Sequence, residues 1–205
     1  MIQQLRCADL RPGDILLKVS DGSVLSKAIE VGQALVGGAN RSVVHAGVLF
    51  DRTFLIEAQA AGIVANDLRV QNKQYGYHVA RCVRPDVAAG AGTCAKLMVV
   101  VHARGKNLGY SIGGAVGSLF GGRGRPATRD EMDALFDRIV GGRSQRFFCS
   151  QFVVYVYQFV AEQCGVPAGA LFAMGDAKAE PSVLASAIAA NGSFREVGYL
   201  LPDRR

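Results

Sequence analysis

Cys149, His45 and Glu57 are the residues of this 205-residue chain whose types best suit nucleophilic chemistry. A cysteine thiolate attacks carbonyl carbon atoms, an imidazole accepts and returns the proton, and a carboxylate orients the imidazole. Enzymes that transfer acyl groups use these three kinds of group together. The three residues can cooperate only if the elements that carry them meet in the fold.

Cys149 is predicted to begin a helix that runs to about Cys164, with an apolar stripe along one side. A thiol in the first helical turn lies near the positive end of the helix dipole and beside unpaired backbone N–H groups. Both favour the thiolate, and these groups could stabilise an oxyanion, for which the adjacent Ser150 is a further candidate. Cys164 lacks these surroundings and is expected to be a small buried hydrophobe. On position alone a structural role is the commoner outcome for Cys149, so a base is required.

His45 lies in a run of small and apolar residues that predicts a strand, where an unpaired imidazole would be costly. A second strand-like run follows after three turn residues, and a hairpin of that length pairs Phe50 with Phe54. This register sets Gly47 opposite Glu57 and brings Glu57 diagonally beside His45 on one face. The two side chains are therefore predicted to form a hydrogen bond. That bond would belong either to a catalytic site or to a structural pair without catalysis.

The other two histidines are weaker candidates for chemistry. His102 is expected to lie at a helix end or on the surface, near Arg104. His78 and Cys82 could share one face of a strand, but neither they nor Cys94 show the paired short spacings of structural zinc sites. No metal site and no cofactor are predicted.

The elements around these residues mix short strands with helices, which is typical of an α+β domain. Leu10 to Asp14 is predicted to form a turn, because it contains Pro and Gly. Strands are predicted over 15–19, 43–50, 54–59, 77–83 and 194–201. Helices are predicted from Asp21 or Ser23 to Gly37, over 95–103 where a buried strand is the alternative, from Thr128 to Gly141, over 149–164 and over 181–190.

Residues 109–124 form the most unusual segment, with many glycines among scattered apolar residues. It lacks the Gly-Lys-Ser/Thr ending of a phosphate-binding loop, so a nucleotide site is not expected there. The segment is predicted to be a mobile flap or an apolar contact surface near the site, and an ordinary surface loop is the alternative. Its candidates for substrate contact are Ile112, Val116, Leu119 and Phe120.

Length and composition favour a single domain over residues 1–205. The N-terminal segment intersperses charges among apolar residues, unlike a cleaved signal peptide, and no apolar run is long enough to span a membrane. The five cysteines are odd in number and widely separated, which argues against a disulfide framework. These features predict a reduced protein made in the cytoplasm, and they leave export by a dedicated secretion system open.

The formal charge of +6 suits an anionic partner such as a membrane surface, a cell-wall polymer or nucleic acid. The densest basic cluster consists of Arg123, Arg125 and Arg129, in a glycine-rich stretch without interleaved aromatic residues. Such a cluster is more typical of a solvated loop than of a nucleic-acid site. A membrane or cell-wall surface is therefore favoured over nucleic acid.

Four short motifs occur in an order that resembles the circularly permuted, NlpC-like hydrolases of the papain superfamily, the YiiX- and YebB-like proteins. The motifs are Leu10-Arg-Pro-Gly-Asp-Ile-Leu16, Val44-His-Ala-Gly-Val48, Leu55-Ile-Glu-Ala58 and Phe148-Cys-Ser-Gln-Phe-Val153. In this family, as in the related lecithin:retinol acyltransferase-like proteins, the histidine strand precedes the cysteine helix, whereas ordinary papain-like enzymes have the opposite order. The segments 181–184 and 198–199 are similar to the family's closing helix and strand.

The resemblance implies a permuted papain-like fold, with a small, mainly antiparallel sheet packed against a helix that begins with Cys149. By position it implies Cys149 as nucleophile, His45 as base and Glu57 as the residue that orients the imidazole. The implied reaction is acyl transfer through a thioester to water or another acceptor. The expected substrate is a lipid acyl linkage or an amide, with lipid slightly ahead. The alternatives are a peptidase acting on cell-wall or other peptides, and a binding module without catalysis.

Overall fold

A computed structural model of the chain describes residues 3–19, 43–59, 62–104, 145–172 and 181–201. Within these residues a seven-stranded, mostly antiparallel sheet packs against helices, so the chain is an α+β protein. The helix predicted to end at Gly37, the helix predicted to start at Thr128 and the glycine-rich segment 109–124 lie outside the described residues.

The strands are β1 (Gln4–Leu5), β2 (Ile15–Val19), β3 (Val43–Leu49), β4 (Phe54–Gln59), β5 (Gly62–Asp67), β6 (Tyr77–Cys82) and β7 (Phe194–Leu200). Their order across the sheet is β1-β7-β6-β2-β3-β4-β5. β1 runs parallel to β7, and the other neighbouring strands are antiparallel. β2 therefore lies at the centre of the sheet, beside the strand that carries His45.

The helices are α1 (Pro85–Arg104), α2 (Gln145–Gln163), α3 (Ala168–Leu171) and α4 (Pro181–Ala190), and a 3-10 turn covers Cys7–Asp9. α2 packs against both β3 and β4, which brings Cys149 to the hairpin that carries His45. Just beyond α2, Gly165 has a φ of +71°, the left-handed conformation that commonly closes a helix. In the described part of the chain, no helix combines the length and the apolarity that a membrane crossing would need.

The sheet buries side chains on both faces. On one face, Ile15 and Leu17 of β2 join Val87 of α1 and Phe152 of α2 in the main core. On the other face, Leu16 belongs to a smaller core that neighbouring strands and the N-terminal segment complete. A leucine or isoleucine side chain buried in this way contributes about 1.5–3 kcal/mol relative to exposure. Burial on both faces explains why β2 begins as a continuous apolar run.

The turn predicted before β2 is confirmed, and packing requires its glycine. Gly13 has a φ of +82°, and a Cβ atom there would lie 1.9 Å from the carbonyl oxygen of Ala88 in α1. The turn is closed by the backbone N–H of Asp14, which donates to the carbonyl oxygen of Arg11 at 3.0 Å. The start of β2 is thereby held tightly against α1.

The predicted bounds of β2, β4 and α4 match the structure, and β3, β6 and β7 each end one residue earlier than predicted. The ambiguous stretch 95–103 is helical, as favoured, but it belongs to the longer α1, which already begins at Pro85. The strands β1 and β5 were not predicted. β1 has only two residues, and β5 is an edge strand with polar residues that interrupt the apolar alternation.

The predicted start of the cysteine helix is wrong. α2 begins at Gln145, so Cys149 lies in its second turn and not at its N-terminus. Neither Gly nor Pro stands between Gln145 and Cys149, so no backbone signal stops the helix from extending toward its N-terminus. The sheet therefore packs against a helix that contains Cys149, whereas the expected helix began with that residue.

Candidate active site

The hairpin of β3 and β4 has the predicted register. Leu49 pairs with Leu55, and the N–H of Phe50 donates to the carbonyl oxygen of Phe54 at 3.0 Å. Asp51 organises the turn, because its Oδ1 atom accepts hydrogen bonds from the backbone N–H groups of Thr53 and Phe54 at 2.7 and 2.9 Å. The loop thus fixes which residues of the two strands face each other.

This register brings His45 and Glu57 together diagonally, as the sequence predicts. The Nε2 atom of His45 lies 3.3 Å from Oε2 of Glu57. The glycine between them makes the contact possible, since a Cβ atom at Gly47 would lie 3.0 Å from Cγ of Glu57 and 2.8 Å from the carbonyl oxygen of Ile56. The side chain of Glu57 therefore passes over Gly47 to reach the imidazole.

Three amide side chains hold the carboxylate of Glu57. Gln59 and Asn66 donate to Oε2 at 2.8 and 3.4 Å, and Asn72 donates to Oε1 at 2.5 Å. Burial by itself would raise the pKa of Glu57, but the hydrogen bonds and charge of His45, followed by the bonds from Gln59 and Asn72, lower it. Glu57 is thus a buried carboxylate that stays ionised. These amides were not predicted, because isolated Gln and Asn residues in polar segments carry no distinguishing pattern.

The thiol of Cys149 meets the imidazole of His45 in a fully buried position. Burial alone would raise the pKa of Cys149, but a hydrogen bond with His45 and its positive charge lower it, with help from the backbone N–H of Ala46 and from Ser150. The Oγ atom of Ser150 lies 3.8 Å from the sulfur. The elements that carry the three candidate residues therefore do meet.

The pKa of His45 moves in the complementary direction. Burial by itself would lower it, but hydrogen bonds with Cys149 and Glu57 outweigh burial and raise the pKa from 6.5 to about 10. A raised pKa on the imidazole and a lowered pKa on the thiol favour an imidazolium beside a thiolate at neutral pH. This is the charge state in which a cysteine is nucleophilic.

The source of thiol activation differs from the predicted one. In a helix that starts at Gln145, the unpaired N–H groups of the first turn precede Cys149, and the dipole effect is strongest in that turn. His45 and the N–H of Ala46 stabilise the thiolate instead. The prediction of a backbone oxyanion site beside the thiol assumed that Cys149 begins the helix. That assumption is wrong, because the helix begins at Gln145.

Three other thiols differ from Cys149 in the direction of their pKa shift. Burial raises the pKa of Cys94 to about 12, and it also raises the pKa values of Cys82 and Cys164. Cys164 is only partly buried in the turn directly after α2, whereas it was expected to be a buried hydrophobe. Among these four thiols, only Cys149 has a lowered pKa.

A cavity of about 590 Å³ borders His45 and Glu57. Lys18 of β2 lies directly opposite His45 in the β2–β3 pairing, and its Nζ atom lies 3.0 Å from the centre of the Tyr75 ring. The further polar residues that line the cavity are Gln59, Asn66, Gln71, Asn72 and Tyr77. Beside the imidazole the protein thus offers a polar surface with an ammonium group.

The structure does not describe the four candidates for substrate contact, and it places His78 elsewhere in the sheet. Ile112, Val116, Leu119 and Phe120 lie outside the described residues. His78 contacts Glu196, with 3.2 Å between Nδ1 and Oε1. No group of three or more His, Cys, Asp or Glu side chains within the described ranges could hold a metal ion.

Comparison with known proteins gives no relative from which a role could be transferred: no protein-family model and no curated protein matches the chain.

Proposed function

We propose that this protein is a cysteine hydrolase or acyltransferase in which Cys149 attacks an acyl carbonyl, His45 transfers protons and Glu57 orients the imidazole. The observation that carries the proposal is that His45 contacts both the thiol and the carboxylate. A nucleophile, a base and an orienting group in one chain of contacts is the arrangement that covalent acyl transfer requires.

In the first half of the reaction, the Cys149 thiolate adds to the carbonyl carbon of the substrate. The carbonyl oxygen becomes negatively charged, and we assign its stabilisation to the hydroxyl of Ser150, which lies 3.8 Å from the sulfur. When the intermediate collapses, the bond from the carbonyl carbon to the leaving group breaks and the His45 imidazolium protonates that group. The acyl group remains on the sulfur as a thioester.

In the second half, neutral His45 takes a proton from water or from another acceptor, whose oxygen or nitrogen attacks the thioester carbon. The carbon–sulfur bond breaks, Cys149 leaves as a thiolate, and the His45 imidazolium is restored. Glu57 favours this cycle because its ionised carboxylate lies 3.3 Å from Nε2 and stabilises the imidazolium. With Nε2 engaged, Nδ1 is the nitrogen left for the thiol and the substrate.

The chain order supports a permuted NlpC-like assignment within the papain superfamily. The strand that carries His45 precedes the helix that carries Cys149, and that helix packs across β3 and β4 of a mostly antiparallel sheet. The order of these two elements is the one that the motif resemblance implies, although α2 begins before Cys149.

The cavity beside His45 favours a polar acyl donor such as a peptide or another amide. Pockets that bind acyl chains are lined mainly by apolar side chains, whereas this one presents Lys18 and several amides. The ammonium of Lys18 would suit a substrate that carries a carboxylate. The lining thus supports an amide substrate over a lipid acyl linkage, which the basic charge and the apolar, glycine-rich segment 109–124 placed slightly ahead.

The test is acylation by a small activated ester, p-nitrophenyl acetate, followed by intact-mass and peptide mapping. We expect one acetyl group on Cys149, and none in Cys149→Ala. Because the thiol is fully buried, neighbouring groups must move before it reacts, so acylation should be slow. Acetylation elsewhere, or an unchanged level in Cys149→Ala, would support the binding-module alternative instead.

The acyl donor is tested by incubating the protein with purified peptidoglycan and, separately, with phospholipid vesicles. We expect cleaved peptides from the first and no released fatty acid from the second. Fatty acid released by the wild type but not by Cys149→Ala would reverse the choice of substrate and keep the mechanism.

A further inference from the structure

A second cavity, of about 530 Å³, lies away from the candidate active site. It is bordered by Arg52 in the turn that joins β3 and β4, whereas His45 lies near the opposite end of β3. The strand from His45 to Leu49 alone spans roughly 13 Å, and Arg52 lies in the turn beyond it. The two cavities share no lining residue. This second cavity is therefore separate from the proposed hydrolase chemistry and does not depend on it.

One wall of the second cavity is a fixed, buried arginine. Arg81 donates from Nε and Nη2 to the two carboxylate oxygens of Asp14, each at 2.7 Å, and Nη2 also donates to the carbonyl oxygen of Asp9 at 2.9 Å. Only 8% of Arg81 is exposed. Its Nη1 group has no acceptor among the described residues. A charge held this rigidly loses little entropy when it binds a ligand.

Three exposed arginines, Arg11, Arg52 and Arg195, complete the basic lining. None of them forms an ion pair with a described residue. The lining also contains two carboxylates: Asp9 accepts a hydrogen bond from the backbone N–H of Arg6 at 2.8 Å, and Glu196 contacts His78. The four arginines outnumber these two carboxylates together with Asp14, which pairs with Arg81, and the other three arginines form no ion pair among the described residues.

The position of Arg195 adds an independent argument. Arg195 of β7 lies directly opposite Arg81 of β6 in the strand pairing. Like charges at opposing positions of two strands destabilise a sheet. Asp14 already compensates the charge of Arg81, so the guanidinium that a bound anion would compensate is that of Arg195, which forms no ion pair among the described residues.

We propose that this cavity binds a phosphate-bearing group. The guanidinium fork matches the oxygen atoms of a phosphate in bidentate geometry, and several arginines around one site suit a group with more than one negative charge. The volume falls within the range of roughly 300–1,000 Å³ of small-ligand sites. The phosphate can belong to a small molecule or to the headgroup of a lipid.

The first test is calorimetric titration of the full chain with inorganic pyrophosphate. The variant Arg52→Gln/Arg195→Gln removes two exposed cavity charges, and we expect it to bind at least about tenfold more weakly, because charge-assisted hydrogen bonds are lost. The matched control is Arg69→Gln/Arg84→Gln, which removes two exposed arginines that pair with Asp67 and Asp86 elsewhere. The control should bind like the wild type.

A second titration, with succinate, tests whether the site selects phosphate. We expect much weaker binding than with pyrophosphate. Equal affinity for the two anions would overturn the proposal, as would absent pyrophosphate binding or equal weakening in both double variants.

Vesicles distinguish the sources of the phosphate. If the ligand is a lipid headgroup, phosphatidylglycerol vesicles should sediment the wild type and the control but not Arg52→Gln/Arg195→Gln. If it is a small molecule, all three proteins should behave alike with vesicles, and the difference should remain confined to pyrophosphate.

Discussion

Two His–Glu pairs lie in the same sheet, and only one of them is part of the candidate site. His45 and Glu57 approach to 3.3 Å, and His78 and Glu196 approach to 3.2 Å. The carboxylates differ, because the side chain of Glu57 is 3% exposed whereas that of Glu196 is 34% exposed. Amide side chains, among them the buried Asn72, fix Glu57, whereas solvent screens Glu196.

The second nitrogen of each imidazole separates the pairs further. His45 also contacts the Cys149 thiol, whereas Nε2 of His78 has no hydrogen-bond partner among the described residues. The ring of His78 instead packs edge-on against Tyr199, with 5.0 Å between the ring centres. A His–Glu contact by itself is therefore a structural feature. It becomes a candidate catalytic unit when the imidazole also reaches a nucleophile.

Replacing each histidine by asparagine should give the largest contrast between the pairs. We expect His45→Asn to slow acetylation of Cys149 by p-nitrophenyl acetate about 10²- to 10⁴-fold, because the thiolate loses its counter-ion and its base. In the His78→Asn variant, Cys149 should be acetylated at close to the wild-type rate. Circular dichroism of both variants shows whether they remain folded. Equal loss in the two folded variants would remove the distinction between the pairs.

The pH profile of acetylation should report the ion pair at His45. The rate should rise as Cys149 deprotonates, below the usual pKa of a thiol, and the imidazolium should be lost as pH passes about 10. Acetylation by p-nitrophenyl acetate should not fall above that pH, because p-nitrophenolate leaves without a proton, whereas cleavage of an amide, whose leaving amine needs the proton of His45, should fall. Stopped-flow measurements of acetylation should give the same rising limb for the wild type and for His78→Asn. A limb that moves in His78→Asn would implicate the second pair.

Removing the carboxylates should have a smaller effect than removing the imidazoles. Glu57→Gln should slow acetylation roughly tenfold or more and lower the pKa of His45, because the imidazolium loses a buried negative charge. Glu196→Gln is the matched control and should change neither quantity. The pKa of His45 is measured by NMR titration of its ring protons. An unchanged pKa in Glu57→Gln would show that the carboxylate does not act on the imidazole.

The smallest expected effect concerns the glycine that lets Glu57 reach His45. In Gly47→Ala the new methyl group meets Cγ of Glu57 and the carbonyl oxygen of Ile56, so the carboxylate should shift and acetylation should slow several-fold. Gly192→Ala is the control, since a Cβ atom there has no neighbour within 4 Å. Wild-type rates in both variants would show that the Glu57 position is not critical.

The sequence predicts those parts of the fold and site that depend on local rules. The register of the β3–β4 hairpin follows from its loop length, and it suffices to place His45 beside Glu57. The contact with Cys149 joins residues far apart in sequence, and only the order of the motifs suggested it. Strand alternation cannot supply such a contact, because it describes one element at a time.

Other parts of the site had no readable signal in the sequence. The amides around Glu57 come from β4, β5 and the turn after it, and each looks like an ordinary polar residue. The start of α2 was misplaced because residues 145–148 contain no helix breaker, and because Ser144, a residue type that favours the N-cap and that stands directly before Gln145, was overlooked. That error assigned thiol activation to the helix dipole, whereas the structure assigns it mainly to His45.

The ionisation of Cys149 at neutral pH tests the central claim most directly. It is measured as the ultraviolet absorbance of the thiolate during a pH titration, taking the difference between the wild type and Cys149→Ala. We predict a thiolate signal that persists below the usual pKa of cysteine, disappears in His45→Asn and stays in His78→Asn. A Cys149 that ionises only at or above that usual pKa, or one whose signal is the same in both histidine variants, would contradict the account.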